Sequence, residues 1–188
     1  MDEGRQRDKQ ATCLRIIEAA RRLFAEIGYD QVTMRMLAAE ADVNIALINR
    51  YFGTKHQLFG RVVARQGSFP RVIEGDPETL PERLAEYVAR RFFSQESSPT
   101  SVTIARSMAS PEVRDLMRDR LRATIVEPLQ ELLMERGLDA DDARLRASAA
   151  AAVVIGVAQL RVAFGPMEGP PVDAAVEHLT KVFRTCLS

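Results

Sequence analysis

The stretch Asn44-Ile45-Ala46-Leu47-Ile48-Asn49-Arg50 sets two amides and a guanidinium among small and branched apolar side chains. An asparagine carboxamide can hydrogen-bond an adenine edge bidentately, and alanine or isoleucine can touch a thymine methyl, so the mixture suits the edge of a base pair. Residue types for catalysis are scarce by comparison. His56 and His178 are the two histidines in 188 residues, and no glycine-rich phosphate loop, nucleophile elbow or metal-ligand spacing occurs. The carboxylates read as helix-surface charges paired with arginines. No catalytic residue, metal or cofactor is therefore expected. Cys13 and Cys186 lie near opposite ends of the chain and are expected to be reduced packing thiols.

Helices must position the amides. Helical periodicity runs through the chain, and no run of alternating β-branched residues suggests a sheet, so the expected fold class is all-α. Leu14, Ile17, Ala20, Phe24 and Ile27 recur every three or four positions and share one face of a first helix. Gly28 follows as its cap, where a left-handed conformation costs glycine least. Thr33 sits where an N-cap belongs, opening a short helix over 33–41, and Asn44 can cap a third over 44–52. Thr54 with Gln57 forms a capping-box pattern for a fourth, reaching about residue 66. Two helices crossing steeply through a tight turn need apolar contact points and a small residue at closest approach. Leu37, Ala41, Val43 and Ile48 supply the first and Ala38 the second. Asp42 occupies the turn, where the backbone tends to the left-handed region that aspartate tolerates better than most residues. With Val43, Leu47 or Ile48, and Phe52 turned inward, Asn44, Ile45, Ala46 and Asn49 face outward. A helix-turn-helix also occurs in bundles that never meet DNA, so spacing alone leaves both readings open.

The chain has enough apolar residues to bury a real core. Residues 67–81 are rich in Gly and Pro and mark a junction, giving domains 1–66 and 67–188, with 1–8 expected to be a flexible arm. Beyond it the pattern predicts helices over 82–93, 101–110, 111–136, 140–164 and 172–186. Formal net charge is zero, but up to Pro70 there are 11 Lys/Arg against 8 Asp/Glu, a net of +3, and afterwards 15 against 18, a net of −3. The positive half is the candidate anion binder. The longest uncharged run, 147–160, is shorter than the roughly 20 residues of a membrane span. The first residues lack an apolar signal core, so a cytoplasmic location is expected.

The segment IIEAARRLFAEIGYDQVTMRMLAAEADVNIALINRYFGTKHQLF, residues 16–59, closely resembles the N-terminal DNA-binding domain of TetR-family transcriptional repressors. The resemblance takes in the first-helix signature AARRLFAEIGYDQVT, the helix-turn-helix and the run RYFGTK. It implies that Thr33, Tyr51 and Lys55 meet phosphates, and that Arg35, Asn44, Ile45, Ala46 and Asn49 reach bases or adjacent backbone. Lys55 at a helix N-terminus is physically apt, since its charge and the free N–H groups both attract phosphate. The chain departs from the family at Asn49, where a phosphate-binding tyrosine is common, and at Met36, where an acidic residue often completes a capping box. Arg5, Arg7 and Lys9 are basic residues of the kind that reach a minor groove from an arm.

For the remainder the resemblance implies a helical ligand-binding and dimerisation domain whose last two helices pair as a four-helix bundle. The alanine- and valine-rich segment 147–164 agrees, since it permits close helix approach and is too apolar for solvent on every side. Phe92, Phe93, Ile104, Met108, Met117, Leu121 and Val157 are the candidate lining of an apolar pocket. Arg106 and Arg161 interrupt apolar stretches and are read either as ion-pairing groups or as receivers of a ligand carboxylate. The implied function is a homodimeric repressor that leaves a near-palindromic operator when a small apolar or amphipathic effector binds. The alternative is a DNA-binding regulator controlled by a protein partner or by no ligand.

Overall fold

A computed structural model describes residues 2–64, 70–93, 99–165 and 171–188. Among these residues the chain is helical and contains no strand. The first part comprises α1 (Asp2–Ile27), α2 (Met34–Ala41), α3 (Ile45–Phe52) and α4 (Lys55–Ala64). After the short α5 (Pro70–Ile73) and a 3-10 turn (Pro77–Thr79) come α6 (Leu80–Phe93), α7 (Pro99–Ser107), α8 (Pro111–Leu121) and α9 (Glu127–Glu135). The chain ends in α10 (Ala140–Phe164) and α11 (Val172–Leu187). The expected boundaries of the helix-turn-helix agree with these. The arm does not stay apart from the first helix, because residues 2–8 continue α1.

The chain forms two compact units, and their division is not the single cut expected after residue 66. One unit holds Met1–Gly67 together with Ser98–Leu116, and the other holds Ser68–Ser97 and Met117–Ser188. The physical reason is that α7 packs against α1 and α4. Arg106 of α7 donates to the Glu26 carbonyl at 2.7 Å, and Ser107 Oγ accepts from the Tyr29 amide at 3.2 Å. Both bonds satisfy groups around the end of α1 that a helix terminus leaves open. Gly28 has φ +79°, and a Cβ there would lie 3.0 Å from the Arg106 carbonyl oxygen. Glycine thus serves both the reversal of the chain and the close approach of α7.

Within the first unit, Ile16, Ala19, Ala20, Phe24, Leu37, Ile48, Leu58 and Phe59 are buried. Phe24 and Phe59 meet edge to face with centroids 5.0 Å apart, and Tyr29 meets Phe59 likewise at 5.2 Å. Arg22 on α1 pairs with Glu40 on α2 at 2.9 Å, an exposed link of modest energy.

In the second unit, α6 packs extensively against α11, and α10 packs against α6, α9 and α11. Leu84, Val88, Leu129, Leu133 and Phe183 fill the centre beside Ala143, Ala147, Ala150 and Ala151 of α10. Small side chains on α10 let its neighbours approach closely. Between α8 and α9 the helix widens into a π turn over Arg122–Val126. Pro128 has no N–H to give to the preceding turn, which disfavours continuous α geometry there. Arg83 donates to the carbonyls of Val72, Ile73 and Asp76, tying α5 and the 3-10 turn to α6.

By length and composition α10 as a whole could cross a membrane, although its uncharged run is short. Its alanine face is packed within the second unit and Arg161 on it is buried, while Leu145, Leu160 and Phe164 on the other face are exposed.

Candidate nucleic-acid interface

The helix-turn-helix is built by caps that also shape its chemistry. Thr33 is extended, and its Oγ1 accepts from the Met36 amide at 3.2 Å. Met36 cannot return a side-chain acceptor to the Thr33 amide, so only half of a capping box forms. Asp42 adopts φ 50°, ψ 56° and is the one non-glycine residue with positive φ among the described residues. Its amide donates to Ala39 O at 3.2 Å, and the Val43 amide donates to Ala38 O at 3.0 Å. These bonds close the turn between α2 and α3.

Asn44 begins α3, its Oδ1 accepting from the Ala46 amide at 2.8 Å. Its Nδ2 group remains a donor. Ile48 is fully buried, while Val43, Leu47 and Phe52 are half-buried. Asn44, Ala46, Asn49 and Arg50 are exposed, and Ile45 is half-buried. Ala46, Asn49 and Arg50 share a face by helical spacing. No hydrogen bond among the described residues engages the Asn49 amide, so both its donor and acceptor are open to a base edge. Thr33 and Arg35 are exposed at the start of α2. The Thr33 hydroxyl hydrogen is free to donate because its oxygen does the capping.

The start of α4 is tightly specified. The Thr54 amide donates to Gln57 Oε1 at 3.0 Å and the Gln57 amide donates to Thr54 Oγ1 at 3.2 Å, the reciprocal capping box that the sequence predicts. Gly53 precedes it with φ +74°, and a Cβ there would lie 2.0 Å from Gln57 Oε1. Tyr51 is half-buried, with the Lys9 ammonium 5.8 Å from its ring centroid.

Lys55 is neither freely solvated nor idle. Its Nζ donates to Tyr29 O at 3.0 Å and Val32 O at 3.1 Å, and lies 4.1 Å from the Tyr29 ring centroid. An ammonium carries three N–H groups, so one hydrogen remains beyond the two carbonyl bonds. Tyr29 is buried and its phenol donates to Glu112 Oε2 of α8 at 2.7 Å. Burial, reinforced by the Glu112 carboxylate, pushes the phenol pKa far above its ordinary value. The hydroxyl stays protonated as a donor at neutral pH. Sequence reasoning passed over Tyr29 and Glu112. An aromatic residue directly after the capping glycine was a local signal for the first, but no local pattern marks the second.

Two family profiles match the chain: bacterial regulatory proteins of the tetR family over residues 16–62, and the tetracyclin repressor-like C-terminal domain over residues 78–187. The chain belongs to the TetR family. Met34–Phe52 therefore carries the helix-turn-helix of a DNA-binding transcriptional regulator, with α3 as its second helix. Among relatives of this TetR-family chain, the HTH-type transcriptional repressor Rv3405c of Mycobacterium tuberculosis is 40% identical over 73 residues, which span 38% of this chain and 39% of that one. The HTH-type transcriptional regulator BetI of Rhizobium meliloti is 29% identical over 157 residues, covering 76% of this chain and 73% of the relative. The solved structure of NalD, described as the secondary repressor of the MexAB-OprM multidrug efflux pump in Pseudomonas aeruginosa, superposes with a TM-score of 0.73 at 21% identity, over 95% of this chain and 97% of NalD. At that identity the likeness concerns the fold.

The candidate effector residues do not gather in one unit. Ile104 and Met108 belong to the first unit, whereas Met117, Leu121 and Val157 belong to the second; all five are half-buried. Leu121 and Val157 pack on the second unit's core. Phe92 and Phe93 end α6, and their side chains lie outside the described residues. Arg106 donates to the Glu26 carbonyl at the end of α1, a partner that neither reading of it named. Arg161 is 6% exposed within α10. A separate cleft of about 440 Å³ in the second unit is lined by Pro77, Pro81, Leu138 and Leu187 with Arg136 and Arg184. Both arginines there are paired, with Glu78 and Glu82 respectively.

Proposed function

We propose that this chain is a homodimeric, sequence-specific regulator, most simply a cytoplasmic repressor, that reads a near-palindromic operator through α3. The observation that carries the proposal is the exposed Ala46, Asn49 and Arg50 face of α3, behind which Ile48 is fully buried. Asn49 takes the bidentate role toward adenine, while Ala46 and Ile45 meet thymine methyls. Asn44 and Thr33 cap their helices through oxygen and donate to phosphate through the hydrogens left over. Arg35 and Tyr51 complete the contacts at the backbone. Lys55 adds charge and its remaining N–H at the start of α4.

The dimer reading rests on α10. Leu145, Ala149, Ala152, Gly156, Leu160 and Phe164 follow one another at spacings of three or four, opposite the alanine face already in the core. Leu145 is 69% and Phe164 75% exposed, and a Cβ on Gly156 would meet nothing within 4 Å. A helix apolar on both faces calls for burial on both. A second copy presenting the same stripe satisfies this with two-fold symmetry, and two recognition helices then match the two halves of a palindrome.

An apolar or amphipathic effector is the proposed signal, and Met117, Leu121 and Val157 of the second unit are proposed to meet it. Such a ligand releases DNA only if it binds the non-binding conformation more tightly, and DNA must then weaken ligand binding by the same factor.

Selection of a random DNA library with the purified protein tests the DNA reading. A palindromic sequence should be enriched, and its binding should weaken steeply with salt. Asn49→Ala should alter the preferred base at one position of each half-site, costing about 1–3 kcal/mol on the original sequence. Lys55→Ala should weaken all sequences alike. Enrichment of no palindrome would overturn the assignment.

A further inference from the structure

We infer that Glu112, Tyr29 and Lys55 act as a positioning chain that holds the amino terminus of α4 in its DNA-binding place, a reading that rests on the DNA function proposed above. Tyr29 is 3% exposed, among Phe24 and Phe59, in surroundings where phenylalanine would pack as well. A phenol in such a place needs a hydrogen-bond partner for its hydroxyl. That partner is the Glu112 carboxylate at 2.7 Å, on a helix 83 residues further along the chain. The bond fixes how deep the ring sits and how it is turned.

The same ring then locates Lys55. Its face lies 4.1 Å from Nζ, and the backbone carbonyl of Tyr29 accepts one of the ammonium hydrogens at 3.0 Å. Val32 O takes a second at 3.1 Å. Three contacts therefore aim the remaining N–H, and two of the three belong to Tyr29. Lys55 is the first residue of α4 and follows the end of α3 by three positions, across Gly53 and Thr54. A shift of the ring moves the lysine and the α4 amides together, the two sources of phosphate attraction at this point. None of the three residues needs to touch a base, so the chain governs strength and charge contact, not sequence preference.

Glu112 and Tyr29 are joined within the first unit, and α8, which carries Glu112, continues past Leu116 into residues of the second. Loss of the Glu112 contact is thus a local event on a helix shared by both units.

The test compares the selected operator's affinity and salt dependence for wild type, Tyr29→Phe, Glu112→Ala, Glu112→Gln, Lys55→Met and the double variant Tyr29→Phe/Lys55→Met. Tyr29→Phe keeps the ring and removes only the hydroxyl; Glu112→Ala changes an exposed position if the former fails to fold. Either should weaken operator binding about ten-fold, the size of one charge-assisted hydrogen bond, and lower the salt slope toward that of Lys55→Met. Base preference should be unchanged. Glu112→Gln, which keeps an acceptor oxygen, should restore part of the affinity. Adding Tyr29→Phe to Lys55→Met should have no further effect. If Tyr29→Phe and Glu112→Ala lower the melting temperature but leave affinity and salt slope as in wild type, or if Tyr29→Phe acts fully in the Lys55→Met background, the chain is a stability feature only and the inference falls while the DNA reading stands. If wild type itself enriches no DNA, both fall together.

Discussion

Asp42 shows how one residue can record a compromise. Its φ of 50° lies in the left-handed region, where a Cβ costs energy that aspartate lessens but does not remove. Glycine would relieve that strain while losing more entropy on folding. Asp42→Gly should therefore raise the unfolding free energy modestly, by about 0.5–1 kcal/mol, the left-handed penalty less the entropy cost of glycine, measurable by urea denaturation, with operator preference unchanged. A β-branched residue such as valine should do the opposite and open the turn. Lys55 teaches a related lesson: a lysine with a phosphate-binding position in the sequence pattern also spends two hydrogens on backbone carbonyls. Its substitution will register in stability as well as in affinity, so Lys55→Ala needs both measurements.

At the level of helices, the joints carry the sharpest tests. The end of α1 meets the end of α7 where Gly28 combines φ +79° with a carbonyl oxygen 3.0 Å from any added Cβ. Gly28→Ala should destabilise the first unit by about 1–3 kcal/mol, seen as a lower urea midpoint. In the second unit, Glu82 in the first turn of α6 pairs with Arg184 of α11. Its carboxyl pKa is lowered by its own backbone N–H first and by Arg184 next. A lowered folded-state value means stability that is present in full above the ordinary glutamate range and is lost as pH falls through the lowered value. Glu82→Gln should therefore be less stable than wild type at neutral pH and indistinguishable in this respect in strong acid, compared by denaturation at both. The effect should be small, since the pair is largely exposed.

For the whole molecule, the apolar stripe on α10 predicts association. Leu160→Glu places a charge within the proposed two-fold contact and removes nothing from the alanine face in the core. It should leave a folded monomer by circular dichroism, with sedimentation velocity showing half the mass. Operator affinity should fall on the order of 100-fold, because two half-sites bound together gain from effective concentration and a single one does not. A Leu160→Glu protein that still sediments as a dimer would move the contact elsewhere.

Local signals carried the sequence reading a long way. Gly28, Thr33, Asn44 and the Thr54–Gln57 pair are caps whose residue types state their geometry, and they lie where the helices end and begin. The left-handed turn at Asp42 was legible for the same reason. Periodicity separated Ile48 from Asn49, since adjacent residues on a helix face different ways. The roles read for the residues proposed to meet DNA draw on a motif whose members are neighbours along the chain. What the sequence did not disclose depends on distance along it. The grouping of α7 with α1, the bond of Arg106 to the end of α1, and the bond between Tyr29 and Glu112 each join residues about 80 positions apart. An arginine in an apolar stretch looks the same whether it will meet a ligand, a carboxylate or a helix end. Only the tertiary structure chose the helix end, because the open carbonyls of α1 come within reach of α7 only when both have folded.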